Sequence, residues 1–176
     1  MAKLTREDVI KSITDGNKDF EGLDLSGLDL SGVNFNCIDL YEADLEMKSM
    51  KKKYLNRVRF YKANLEGTNF QGANLEFADL SGANLVMANL KEVNFQDAWL
   101  TDAFLGGAKL QGANLKYAFI SNSVLFKAKL QGANLEEANL EGVNLEKADL
   151  TGANLERANL KGAILLKASL EGASLE

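Results

Sequence analysis

The chain contains no histidine and no proline, and only one cysteine, among its 176 residues. Without histidine there is no imidazole to act as a general base near neutral pH and no histidine metal ligand, which removes the commonest catalytic side chain. The single Cys37 cannot close an intrachain disulfide, and no cysteine–histidine cluster exists for zinc. No stretch of about 18 apolar residues is present. The opening Met1-Ala2-Lys3-Leu4-Thr5-Arg6 leads into further charged residues rather than an apolar signal core, so the expected location is cytoplasmic. Positive charge is also in deficit: 20 basic against 25 acidic residues give a net charge of −5. That balance argues against direct nucleic-acid binding and against attraction to an anionic membrane.

What is present is a repeat of five. Every residue from Phe20 to Leu175 whose number is a multiple of five is large and apolar. Of these 32 centres, 30 are Leu or Phe, and the exceptions are Met50 and Ile120. The residue two before the centre is Ala in 20 cases, and the residue just before it is Asn or Asp in 20. Gly lies two after the centre in 13 cases, accounting for all the glycines but Gly16 and Gly106.

A period of five fits neither a helix nor a strand that alternates between two faces. Two inward residues in every five require a chain that turns a corner each repeat. Four corners close a square coil of 20 residues, and successive coils stack. Gly suits a corner that needs positive φ, and Asn or Asp before the centre can bond neighbouring backbone and its own stacked copies.

The pattern, seen in Ala83-Asn84-Leu85-Val86-Met87 and Ala153-Asn154-Leu155-Glu156-Arg157, resembles that of the pentapeptide-repeat family over residues 18–176. The resemblance implies an all-β fold, a right-handed quadrilateral parallel β-helix of seven or eight coils. Eight coils spaced by about 4.8 Å would make a stack roughly 38 Å long.

Two stretches depart from the repeat. Residues 1–17 are expected to form a capping helix: Thr5 with Asp8 makes an imperfect capping box, Leu4, Val9, Ile10 and Ile13 form an apolar stripe, and Gly16 ends it. Around 46–57 the sequence Glu46-Met47-Lys48-Ser49-Met50-Lys51-Lys52-Lys53-Tyr54-Leu55-Asn56-Arg57 places Lys48 and Lys53 on the inward small position. Unpaired burial there is costly, so this segment is expected to leave the barrel as a loop. Lys48, Lys51, Lys52, Lys53 and Arg57 would make it basic, either as a solvated excursion or as a recognition element.

No enzyme motif is present and no cofactor is expected. Acidic pairs recur with the repeat on solvated walls, and a coil this narrow fills its interior with Leu and Phe. Binding is the better expectation, and its evidence lies in departures from the repeat. From residue 99 to 129 the position before the centre reads Trp99, Phe104, Lys109, Asn114, Phe119, Val124 and Lys129. Residues 20 apart stack, so Trp99 should lie beside Phe119 and Phe104 beside Val124, with Met87 and Phe126 close by. Such an apolar wall is a candidate protein interface.

The likeness is strongest to cyanobacterial A(D/N)LXX proteins, which implies a protein-interaction or structural module. The family also contains quinolone-resistance proteins that act on DNA gyrase by imitating duplex DNA, the alternative function here. Assigning outward residues to four walls gives charges of −4, −2, +1 and −3, together −8. A duplex about 38 Å long presents about 22 phosphate charges, so mimicry is the weaker expectation. Lastly, the repeat runs through Leu160, Leu165, Leu170 and Leu175 to the final residue with no polar lid. An open end of this kind invites association, so an end-to-end homodimer through Leu165, Leu170 and Leu175 is expected.

Overall fold

The structure, a computed structural model, describes residues 4–17, 19–21, 23–31, 33 and 58–176. The basic segment with Lys48, Lys51, Lys52, Lys53 and Arg57, and Cys37, lie outside the described residues. Those that are described form one helix and a stack of square coils.

Helix α1 spans Arg6–Thr14. Thr5 caps it: its side chain accepts the Asp8 amide, and the Asp8 carboxylate accepts the Thr5 amide at 2.9 Å. The reciprocal pair is a complete capping box, with Asp in the role usually taken by Glu. Val9 and Ile13 bury against the barrel core, and Leu4 packs partly against it. Arg6 donates to the carbonyls of Asp29 and Ser31 at 2.6 and 3.1 Å. Side chains of α1 thus cover the first coil and answer two of its backbone acceptors.

The barrel has seven coils among the described residues: 19–33, 58–77, 78–97, 98–117, 118–137, 138–157 and 158–176. Parallel bridges join equivalent residues 20 apart, as in Asn64–Asn84, Trp99–Phe119 and Asn134–Asn154. Between the first two described coils the offset doubles to 40, in Asp19–Arg59, Asp24–Asn64 and Asp29–Asn69. Because 40 is a whole multiple of the coil length, every wall stays in line across that junction. Arg59 reinforces it with ion pairs to Asp19 and Glu21.

Each repeat has five backbone amides, and four have fixed backbone destinations. The centre donates to the next coil (Leu65 to the Asn84 carbonyl, 2.7 Å), and so does the second corner residue (Gly67 to Val86, 2.9 Å). The small inward residue closes the turn (Thr68 to Leu65, 3.1 Å), and the residue before the centre bonds the preceding coil (Asn84 to Ala63, 3.0 Å). The fifth, on the first corner residue, is taken by the Asn or Asp side chain two residues earlier, for example the Glu136 amide on Asn134 Oδ1 at 3.1 Å. That side chain is the local device that makes Asn or Asp the usual residue before the centre.

The turns carry positive φ at their second central residue. Gly supplies it at Gly132 (φ 64), but so do side-chain-bearing residues such as Met87 (φ 59), Lys127 (φ 57) and Glu137 (φ 55). These corners store strain of about 1 kcal/mol each, and the axial hydrogen bonds hold it in place.

Inside, centres and small residues alternate along the axis and are essentially fully buried from Phe60 through Leu155. Two of the small positions are polar. Thr68 donates to the Leu25 carbonyl at 2.9 Å, and Ser123 donates to the Leu100 carbonyl while accepting the Ala103 amide. Both hydroxyls are therefore satisfied in the core. In the last coil the burial relaxes: Leu165 and Leu170 are half-buried, and Leu175 is 54% exposed.

Candidate interaction surface

The four walls differ in what they show outward. Along the fourth wall the ladder reads Asn74, Asn94, Asn114, Asn134 and Asn154. Asn94 donates to Asn74 Oδ1 at 3.0 Å and Asn114 to Asn94 Oδ1 at 2.9 Å. On the other three walls the fourth and fifth coils abandon this arrangement. The first wall carries Trp99 beside Phe119, the second Phe104 beside Val124, and the third Lys109 beside Lys129.

The structure thus brings the expected residues together. Trp99 and Phe119 meet edge to face, with ring centres 6.1 Å apart and planes at 79°. Their exposures differ. Met87 is 60% exposed, Phe104 51% and Phe119 43%, whereas Trp99, Val124 and Phe126 are half-buried. Trp99 therefore acts as a floor over which Phe119 stands, while Phe104 and Met87 project.

These substitutions have a local cost. No side-chain acceptor meets the amides of Thr101, Gly106, Gln111, Ser121, Phe126 and Gln131, the place that Asn114 and Asn134 fill for the amides of Lys116 and Glu136. A hydrogen bond of this kind contributes about 0.5–1.5 kcal/mol. Six sites on three walls, three in each of two neighbouring coils, forgo it, and what they gain is outward apolar and cationic surface.

Sequence reasoning missed several surface residues. Tyr117, 37% exposed, stands at the corner next to Phe119's wall, with Lys116 Nζ 4.9 Å from its ring. Ile164 and Leu166 continue the second wall into the last coil, 50% and 60% exposed. The corner between the second and third walls carries Lys127, Lys147 and Lys167 in one column, all at positive φ. The 20-residue spacing of these lysines was the signal that could have found them.

Electrostatics at the rim are ordinary. Asp149, below Lys129 on the third wall, is held beneath its usual carboxylate value of 3.8. The Thr151 hydroxyl and amide, then Gln131, stabilise its charged form; Thr151 Oγ1 donates at 2.6 Å and Gln131 Nε2 at 2.6 Å. Lys116 is raised above 10.5, first by its bond to Glu136 at 2.9 Å. Among the described residues no group of three acidic or thiol side chains is placed to hold a metal ion, and no helix is long and apolar enough to cross a membrane.

Comparison with known proteins follows the same lines. No curated protein matches the sequence. Among solved structures, the chain is 26% identical to HetL, a pentapeptide repeat protein involved in heterocyst differentiation regulation from the cyanobacterium Nostoc sp. strain PCC 7120, covering 99% of this chain and 95% of that one at a TM-score of 0.41. It is 29% identical to a pentapeptide repeat protein from the cyanobacterium Cyanothece 51142, covering 97% and 98% at a TM-score of 0.46. A plasmid-mediated fluoroquinolone resistance protein, QnrB1, is 21% identical over 90% of this chain and 77% of that one, with a TM-score of 0.46. The family model for pentapeptide repeats matches in eight copies over residues 19–46, 54–86, 88–125, 105–142, 120–157 and 138–176. With that model spanning nearly the whole barrel, the chain belongs to the pentapeptide-repeat family.

Proposed function

We propose that this chain is a non-catalytic protein-interaction module whose binding surface is the first and second walls of the fourth and fifth coils. One observation carries the proposal. Two runs of three repeats, one in each of the fourth and fifth coils, give up the side-chain acceptor that serves most corner amides elsewhere, and they place Trp99, Phe104, Phe119 and Val124 outward instead. The buried centres beneath are Leu at every position of the two coils except Ile120, close to those of neighbouring coils, so the interior gives little reason for the change. Clustered rings with some freedom to be covered are what anchor protein interfaces. The alternative, a duplex mimic directed at gyrase, needs a continuous anionic wall; the stacked Lys109 and Lys129 interrupt the third one.

The test replaces Trp99→Asn together with Phe119→Asn and compares proteins cross-linked to each form in extracts of the native host. At least one protein should be retained by the wild type and lost from the variant, at unchanged melting temperature. Identical retained sets would sink the proposal. A supercoiling assay with added protein should show no effect on gyrase, and inhibition at micromolar concentration would favour the duplex mimic.

A further inference from the structure

The second wall is asymmetric in charge, and the asymmetry describes a partner. In the fourth and fifth coils its outward face is apolar, built from Phe104, Val124 and Phe126; Asn144 and Glu146 interrupt it in the sixth coil, and Ile164 and Leu166 resume it in the seventh, while Met87 heads the corner column. Along one corner run Lys127, Lys147 and Lys167. The Lys127 and Lys147 ammonium groups lie 5.0 and 5.1 Å from the same Phe126 ring, one from each side of the coil step. Their stems therefore border the apolar strip instead of turning away from it. Lys147 pairs with Glu146 at 3.0 Å, while neither Lys127 nor Lys167 has an ion pair among the described residues. With Lys109 and Lys129 just round the corner, five lysines face Glu146 and Asp149, a local charge of +3 on a chain of −5. The opposite corner of the same wall carries Asp102 and Glu141, the latter paired with Lys161 at 3.0 Å.

The backbone limits how a partner can bind here. Ladder amides and carbonyls of the wall bond along the axis to the coils above and below. A strand cannot add to a wall with no free edge, so recognition must be by side chains. An α-helix laid along the axis suits this. Its pitch of about 5.4 Å is close to the coil spacing of about 4.8 Å, so one side chain per turn can meet each coil, apolar everywhere but at Asn144 and Glu146 of the sixth. From the coil of Met87 to that of Lys167 is four steps, about 19 Å, the length of about 13 helical residues.

We infer that the second wall receives an amphipathic helix of a partner protein, apolar on the docking face and acidic along the single flank that meets Lys127, Lys147 and Lys167. The inference rests on the interaction function proposed above and adds the partner's chemistry. A uniformly acidic helix gains less, because the opposite corner offers its other flank Asp102 and a Lys161 already paired with Glu141.

A phage-displayed library of 14-residue helical peptides, selected on the intact protein, tests this. Enriched peptides should pair apolar residues at helical spacing with an excess of Asp and Glu on one flank. Their affinity should fall about tenfold or more for Lys127→Glu with Lys147→Glu, and also for Phe104→Asn. Peptides without acidic excess, or indifferent to the charge reversal, would overturn the acidic partner while leaving the wall as an interface if Phe104→Asn still abolishes binding. Peptides indifferent to Phe104→Asn as well would remove the wall too. Failure to enrich any peptide, with sedimentation of the protein on phosphatidylglycerol vesicles, would overturn the inference in favour of a membrane surface; failure without vesicle binding would overturn it outright. Circular dichroism melts of each variant check that the barrel is intact.

Discussion

The fourth wall and the first wall enclose the same core and present opposite exteriors. Asn74 to Asn154 stand in one file on the fourth; Asn94 and Asn114 each donate to the copy in the preceding coil, and Asn114, Asn134 and Asn154 accept their own corner amides. On the first wall, Arg59, Asp79, Trp99, Phe119 and Asn139 follow one another with no rule. Yet the backbone bridges continue equally through both. The difference teaches that the centres and small residues specify the coil, whereas the residue before the centre only refines it. Outward positions are free to carry function at a cost the core can absorb.

The strongest test of that division is Leu115→Ala, just inside the fourth wall. Leu115 is 2% exposed, and its loss should cost about 2–5 kcal/mol in denaturant unfolding. Trp99→Asn with Phe119→Asn should stay within about 1 kcal/mol of wild type, since asparagine restores two corner acceptors as it removes apolar contact. Equal losses would erase the distinction between core and exterior. Next in size is Asn114→Ala. It removes the bond to Asn94 and the acceptor of the Lys116 amide, an expected loss of about 1–2 kcal/mol. A neutral result would show the ladder to be ornament.

The corners offer a cleaner measurement. At Gly132, with φ 64, a built Cβ meets nothing within 4 Å. Gly132→Ala should therefore report backbone strain alone, about 1 kcal/mol, seen as a lowered melting temperature. Acid comes after. Asp149 is held below 3.8 in the folded barrel by Thr151 and Gln131, so its contribution is fully present above that value and is lost as pH falls through the depressed one. Melting temperature should drop as pH falls below 3.8, and Asp149→Asn should make that drop shallower. The smallest effect belongs to Glu136→Ala, which removes a surface pair with Lys116 and should leave melting unchanged within error.

How far the sequence could be read follows from the same division. Leu85, Leu105 and Leu125 announce the coil because a buried centre tolerates few residue types, and their period of five admits one closed shape. The stacking of Trp99 on Phe119 was legible too, since a coil of 20 fixes which residues are neighbours. Corner strain was less so. Glycine marks only some left-handed corners; Lys127, Glu137 and Arg157 adopt the same φ because axial hydrogen bonds impose it, a tertiary effect with no local signature. The doubled offset between Asp29 and Asn69 is a shift by a whole coil and leaves the period intact, so the repeat alone does not show where it falls. How far a ring projects, as Phe104 does and Trp99 does not, depends on its neighbours two columns away.

One feature of the backbone bears on mechanics. The bonds between coils point along the axis, and each coil touches only the next. Tension applied between α1 and the last coil would load those bonds a few at a time, at the end, instead of shearing a whole sheet at once. The barrel should lengthen like tape drawn from a roll, each release freeing 20 residues, about 66–72 Å of extended chain. Yielding should begin at the seventh coil, where Leu160, Leu165 and Leu170 are only half-buried and Leu175 is exposed.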